Sequence, residues 1–307
     1  MHKSQAKPEL WIVVGPTASG KTALAISLAQ ILKTAILSFD SRQFYLEMNI
    51  GTAKPSEEEL SMAQHHFISN KSIHHPYSSG AFASEAESFL SNSNKEKFVL
   101  VGGSGLYLNA LLYPFHDLPE VEPSLRELVI QGFESKGLDW LQSEVSRLDP
   151  ASFQVLDAQN PQRLMRVLEI CLQSGKTYSE SLQDFNKKTE PKYKLQVFGI
   201  DWPRELLYER INHRVDLMMQ SGLLEEAQQL FEFRHVKALQ TVGYAEIFQH
   251  LEGTISLEEA TELIKRNSRR YAKRQLTWFR NQKPEVQWYS YDQLQEILDL
   301  AEKASFS

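Results

Sequence analysis

The stretch GPTASGKT, Gly15 to Thr22, constrains this chain more than any other feature. Its pattern, G-x-x-x-x-G-K-[ST], works only where a strand enters the loop and a helix leaves it. The flanks supply both: LWIVV precedes the loop and ALAISLAQIL follows it. In that setting the loop Gly15, Pro16, Thr17, Ala18, Ser19 and Gly20 forms, with the helix amino terminus, a cradle for anionic oxygens, through the backbone N–H groups of all but Pro16. Lys21 neutralises phosphate charge, and the Thr22 hydroxyl is placed for a Mg²⁺ ion. The loop predicts phosphate binding but does not specify ATP.

Further apolar runs end in polar turns: AILSF meets Asp40, KFVLV meets GGSGLY, and LQVFGI meets Asp201. Helical stretches separate them, so the chain is expected to be α/β, a P-loop NTPase-like core whose parallel sheet is flanked by helices. Ligands of such folds gather at the carboxyl ends of the strands, which brings Asp40, Gly102–Gly105 and the phosphate loop to one cleft. Between these runs PSLRELVIQGF, GLDWLQSEVSRL and PQRLMRVLEICLQSGK read as helices. The expected organisation is a discontinuous core of residues 1–116 and 197–307, with a helical insertion over 117–196. The tail after Asp201 reads as helical.

The 307 residues allow a large core, and 42% apolar with 23% charged residues is a globular composition. No apolar run approaches the length of a membrane span, MHKSQAKPEL lacks a signal-peptide core, and the single cysteine, Cys171, fits a reducing compartment. A cytoplasmic protein is expected, with Cys171 as a buried small side chain. Net charge is −6, yet Lys265 to Lys283 carries eight Lys and Arg and no Asp or Glu. A local basic stripe matters more to a phosphate backbone than total charge does. The pairs His65–His66 and His74–His75 lack the spacing of a structural zinc site and read as structural.

Asp40 ends an apolar run, as does the second metal-binding acid of many phosphate-loop enzymes. From its position alone it is a Mg²⁺ ligand, a helix cap or a general base. Arg210 and Arg214 lie one helical turn apart and, by themselves, read equally as surface partners of Glu205 or Glu209.

The run DSRQFY, IGTAKP, GGSGLYLNALL, PQRLMRVLE, RINHRVDLMMQSGLLEE, TVGYAE and YAKRQLTWFR, together with GPTASGKTALAI, resembles the tRNA dimethylallyltransferases, also called tRNA isopentenyltransferases, in their bacterial form. These motifs stand in family order from about Trp11 to Arg280. The resemblance implies transfer of a dimethylallyl group from dimethylallyl diphosphate to N6 of the adenosine just 3′ of the anticodon. Other readings are prenylation of a free adenine nucleotide, a small-molecule kinase, and a nucleotide-controlled RNA-binding switch. The insertion and the basic tail favour a tRNA substrate.

By that resemblance Asp40, Thr17 and Arg214 are catalytic, with Asp40 the base and Arg214 clamping the diphosphate. Mg²⁺ is the implied cofactor. The anticodon stem-loop is expected to meet Asp40, Ser41, Arg42, Gln43 and Ser104, where Arg42 is given no particular contact. Further expected contacts are Arg126 with Gln162, Arg163, Leu164, Met165 and Arg166 in the insertion, then Thr241, Val242, Gly243 and Tyr244. Lys273, Arg274, Gln275 and Arg280 complete the set, Tyr244 offers a stacking surface, and Trp278 reads as packing. RNA loops are recognised through stacking, base edges and cations on phosphates, which these residue types supply. The target base must be drawn out of its stack to reach Asp40. A monomer is expected by analogy.

Overall fold

The computed structural model describes residues 7–75, 77–113, 121–183, 190–281 and 283–306. Its strands are β1 (Glu9–Val14), β2 (Ile36–Ser38), β3 (His65–His66), β4 (Lys97–Val101), β5 (Lys194–Asp201) and β6 (Gln287–Ser290). They form one parallel sheet in the order β3-β2-β4-β1-β5-β6. Helices α1 (Lys21–Ile31), α2 (Glu57–Met62), α3 (Ser79–Asn92) and α4 (Gly105–Leu112) belong to the first half of the core. Next come α5 (Pro123–Leu148), α6 (Pro150–Val155), α7 (Pro161–Ser174) and α8 (Tyr178–Gln183). After β5 follow α9 (Arg204–Gln220), α10 (Leu223–Leu230), α11 (Tyr244–Leu251), α12 (Leu257–Asn281) and α13 (Leu294–Ser305).

Both faces of the sheet are covered, and the period-two alternation of β1 shows how. Leu10, Ile12 and Val14 point to one face, with residues of α3, α4 and Phe279 of α12. Trp11 and Val13 point to the other, against Leu24, Leu28 and Ala29 of α1 and Ile297 of α13. Burial of each large apolar side chain contributes about 1.5–3 kcal/mol, which is why a strand buried on both faces reads as a continuous apolar run. Central β1 therefore delivers its loop to the middle of the sheet's carboxyl edge. A further cluster joins Val215, Leu223, Tyr244, Ile247 and Ile264 of α9 to α12 with Tyr45 and Met48 from the segment after β2.

The chain divides into two compact units, residues 1–113 with 191–307, and residues 114–190. The boundary expected at 196/197 falls inside β5, whose polar first residues Lys194 and Gln196 hide its start. The tail is not purely helical, because β6 adds an edge strand. Its four residues and the two of β3 make no apolar run that sequence periodicity registers. In the smaller unit, α5 spans both stretches read as helices and bends at Gly137, where the backbone leaves helical geometry. Val129, Leu141, Val145, Leu164, Val167 and Leu168 form its core with Cys171, whose thiol burial pushes up. Among the described residues no helix is long and apolar enough to cross a membrane.

Candidate active site

The phosphate loop leaves β1 and turns into α1 through Gly20, whose left-handed backbone (φ 89°) suits a residue without a Cβ. Ala18 is also left-handed (φ 64°), so the loop alternates handedness as anion-binding nests do. Its outer carbonyls are held from α9 and the turn before it. Arg210 Nε donates to the Ala18 carbonyl at 2.9 Å, and Trp202 Nε1 donates to Ser19 at 3.0 Å. The Arg210 guanidinium lies over the Trp202 ring at 4.4 Å. Neither Arg210 nor Arg214 pairs with Glu205 or Glu209 in the described residues.

Lys21 and Arg214 both reach the loop and line the same cavity. Lys21 Nζ donates to the Pro16 carbonyl at 2.6 Å. Desolvation, reinforced by Arg214 and opposed by Asp40, pushes its ammonium down to about 7. Arg214 donates through Nη1 to Thr17 Oγ1 at 3.2 Å and through Nη2 to the Ala53 carbonyl at 3.3 Å. Desolvation lowers its pKa, while Asp40 and Glu59 raise it. The two cations repel, and an anion beside them would relieve that repulsion.

Asp40 follows β2 and sits where the cleft was expected. Its Oδ1 accepts from the Arg42 N–H at 3.0 Å, an Asx-type turn. No helix follows, so the capping role is excluded, and Oδ2 has no hydrogen-bond partner among the described residues. Ser104 Oγ accepts from the Ser41 N–H at 2.9 Å and donates to Ser41 Oγ at 3.0 Å, joining the β4 loop to the β2 loop. Gln43 Nε2 donates to the carbonyls of Thr52 and Ala53. Arg42 Nη1 donates to the Ala238 carbonyl at 3.1 Å.

One cavity of about 290 Å³ is shared by Thr17, Lys21, Thr22, Asp40, Gln43 and Arg214. Ile68, Met218 and Val242 give it an apolar wall, and Thr241 also lines it. Such a space takes a ligand with an anionic head and an apolar tail and brings it beside a carboxylate.

Several residues depart from their expected places. Tyr244 is fully buried and donates its hydroxyl to Glu226 Oε1 at 2.6 Å, so no ring face is open for a base. Leu164 belongs to the smaller unit's core, and Met165 packs against it. Gln162 and Arg163 are exposed, while Arg126 and Arg166 both reach the buried Glu169 at 3.4 Å. Gln275 is buried. It accepts from the Thr17 N–H at 2.9 Å and donates to the Gly103 carbonyl at 3.1 Å. One amide of the phosphate loop is thus committed to α12. The Gly243 N–H donates to Glu246 at 2.8 Å. Lys273 and Arg274 are exposed, and Arg280 pairs with Asp201 at 2.9 Å over the Trp288 ring. Trp278 packs against the core. Of the histidine pairs, His66 lies on Phe89 and His74 on Phe233, while His65 lines the cavity and His75 is exposed.

Sequence reasoning missed Tyr271, Ile68 and Met218, which line the cavity. Burial, with Asp40 next, pushes the Tyr271 phenol up to about 12, so it stays protonated at neutral pH. Its spacing of four from Gln275 puts both on one face of α12, a signal that was available.

Sheet order, loop and cavity define a phosphate-loop α/β protein whose cavity sets Lys21 and Arg214 beside the Asp40 carboxylate. A family model described as IPP transferase matches residues 43–282. A tRNA dimethylallyltransferase of Christiangramia forsetii is 47% identical over 283 residues, covering 92% of this chain and 93% of its own. One from Flavobacterium johnsoniae is 46% identical over 290 residues, covering 91% and 92%. Among solved structures, the full-length tRNA isopentenylpyrophosphate transferase from Bacillus halodurans superposes with a TM-score of 0.70 at 34% identity and 98% coverage of both chains. A eukaryotic dimethylallyltransferase acting on tRNA gives 0.77 at 25% identity, over 92% of this chain and 74% of its own. The chain belongs to the IPP transferase family, that of the tRNA dimethylallyltransferases, and is an enzyme.

Proposed function

We propose that this enzyme transfers the dimethylallyl group of dimethylallyl diphosphate to N6 of the adenosine 3′-adjacent to the anticodon of tRNA. The observation that carries the reading is the single cavity holding Lys21, Thr22 and Arg214 together with the unpartnered Oδ2 of Asp40. The diphosphate lies on the loop, and the prenyl tail lies against Ile68, Met218 and Val242. The adenine enters beside Asp40, Ser41 and Tyr271. A bond forms from N6 to C1 of the allyl group as the C1–oxygen bond to diphosphate breaks. The N6 proton passes to Asp40 Oδ2. The amine is a weak nucleophile because its lone pair is delocalised, so proton removal during attack lowers the barrier. Arg214 and Lys21 stabilise the charge that develops on the leaving group.

The Thr22 hydroxyl suits Mg²⁺, a hard cation that takes few protein oxygens, keeps waters and binds substrate phosphates. When bound, the ion neutralises part of the diphosphate charge. Lys273, Arg274, Arg163 and the two arginines that flank Glu169, Arg126 and Arg166, serve tRNA phosphates, since each presents a cation at the surface.

Asp40→Asn tests the base. It should lower the single-turnover rate by about 10²- to 10⁴-fold while donor and tRNA dissociation constants stay unchanged. A variant that keeps its rate would remove Asp40 from the chemistry.

A further inference from the structure

Glu226 stands on α10 and does not line the cavity. Its carboxylate accepts four hydrogen bonds. Oε2 takes the N–H groups of Asn49 at 3.0 Å and Ile50 at 2.8 Å, and Oε1 takes Gly51 N–H at 3.0 Å and the Tyr244 hydroxyl at 2.6 Å. Three consecutive backbone N–H groups aimed at one point form the concavity that proteins otherwise offer to a bound anion. Here the anion is a side chain reaching from more than a hundred residues away in sequence.

The segment so held is a single 3₁₀ turn, Ile50–Thr52, too short to keep its own shape. It ends at Ala53, which is left-handed (φ 47°, ψ 53°), a conformation that a residue with a Cβ keeps only where its surroundings impose it. The Tyr244 ring closes the other side. A Cβ on Gly51 would come within 2.6 Å of that ring, so the turn and the phenol are in direct contact. Lys54 continues the clamp, donating to the Tyr45 carbonyl and to Asn49 Oδ1, with its charge toward Glu226.

What the clamp orients is the Ala53 carbonyl. It accepts from Arg214 Nη2 at 3.3 Å and from Gln43 Nε2 at 3.0 Å. Among the described residues Arg214 has one other hydrogen bond, to Thr17 Oγ1, so Ala53 supplies half of what holds the guanidinium at the phosphate loop. An acid in the first turn of a helix ordinarily serves its own helix dipole. The Glu226 carboxylate instead faces another segment, and all four of its hydrogen bonds come from outside α10.

We propose that Glu226, with Tyr244, is a positioning residue for the prenyl donor: it fixes the 49–53 segment so that the Ala53 carbonyl sets the Arg214 guanidinium against the diphosphate. The inference rests on the reading of Arg214 as a diphosphate ligand.

The test compares Glu226→Gln, Tyr244→Phe, Arg214→Ala and the double variant Glu226→Gln/Arg214→Ala. Steady-state kinetics would vary dimethylallyl diphosphate and unmodified tRNA separately, with thermal melting alongside. Glu226→Gln places an amide NH₂ against backbone N–H groups and should raise the donor KM about ten-fold and lower kcat, as sub-ångström misplacement of a charged ligand does. The KM for tRNA should move by less than about two-fold, because the adenine is placed beside Asp40, Ser41 and Tyr271, whose hydrogen-bond partners among the described residues lie outside residues 49–53. Tyr244→Phe should act in the same direction and less. In the Arg214→Ala background, Glu226→Gln should add nothing further to the donor KM.

A Glu226→Gln variant that melts lower but keeps its donor KM, or raises both KM values alike, would overturn the positioning role. So would a donor effect that survives undiminished without Arg214. If Glu226→Gln cannot be recovered folded, Tyr244→Phe decides by the same criteria. Arg214→Ala with native donor kinetics would overturn the diphosphate reading and this inference together. A defective Arg214→Ala beside a native Glu226→Gln would overturn this inference alone.

Discussion

Lys21 shows how a single residue is tuned by burial and by a neighbouring cation. With desolvation and Arg214 pushing it down to about 7, a large fraction is neutral in the free protein at physiological pH. The sign follows from linkage. Its folded value lies below the ordinary 10.5, so the free fold gains stability as pH rises from about 7 toward 10.5 and loses that gain as pH falls through 7. A bound diphosphate favours the ammonium and reverses the shift. Binding at pH 8 should therefore take up close to about one proton, and at pH 6 almost none. Calorimetry in two buffers of different ionisation enthalpy measures this directly. Lys21→Arg, charged at both pH values, should abolish the difference. Equal proton uptake at pH 6 and pH 8 would show that Lys21 is not the group that titrates.

At the scale of elements, α12 matters more than its charge suggests. Gln275 ties the Thr17 amide to the Gly103 carbonyl, so the phosphate loop and the β4 loop share one buried side chain. Gln275→Leu keeps the volume but leaves both groups unpaired, which should cost about 2–4 kcal/mol in urea unfolding. Unchanged stability would mean that the amide makes no essential link. The elements differ in how far the sequence announced them. β1, its loop and Asp40 were legible because the signal is local: an apolar run, a spaced glycine–lysine pattern, an acid at a strand end. The buried link made by Gln275 and the clamp made by Glu226 were not, because their partners lie far along the chain and only packing brings them together. Tyr244 misled for the same reason. An aromatic in a polar motif looks available, and the burial that removes it comes from Glu226 and Gly51.

For the whole molecule, the division into two units makes the smaller one separable in principle. The Lys192 N–H donates to the Leu112 carbonyl at 2.7 Å, so the chain leaves and re-enters the core at one place. Replacing residues 114–190 by a short Gly-Ser linker should leave donor binding intact. It should weaken tRNA binding by about ten-fold or more, with a shallower salt dependence, as Arg126, Arg163 and Arg166 are lost. Filter binding at several salt concentrations tests this, and tRNA binding with an unchanged salt slope would remove those arginines from the interface. The central claim is the reaction itself. Its most direct test is incubation of the purified enzyme with Mg²⁺, labelled dimethylallyl diphosphate and unmodified tRNA, with AMP and ATP as parallel acceptors. Label should enter tRNA alone, at the adenosine beside the anticodon. Label entering only AMP or ATP, or ATP turnover without any prenyl transfer, would contradict the account.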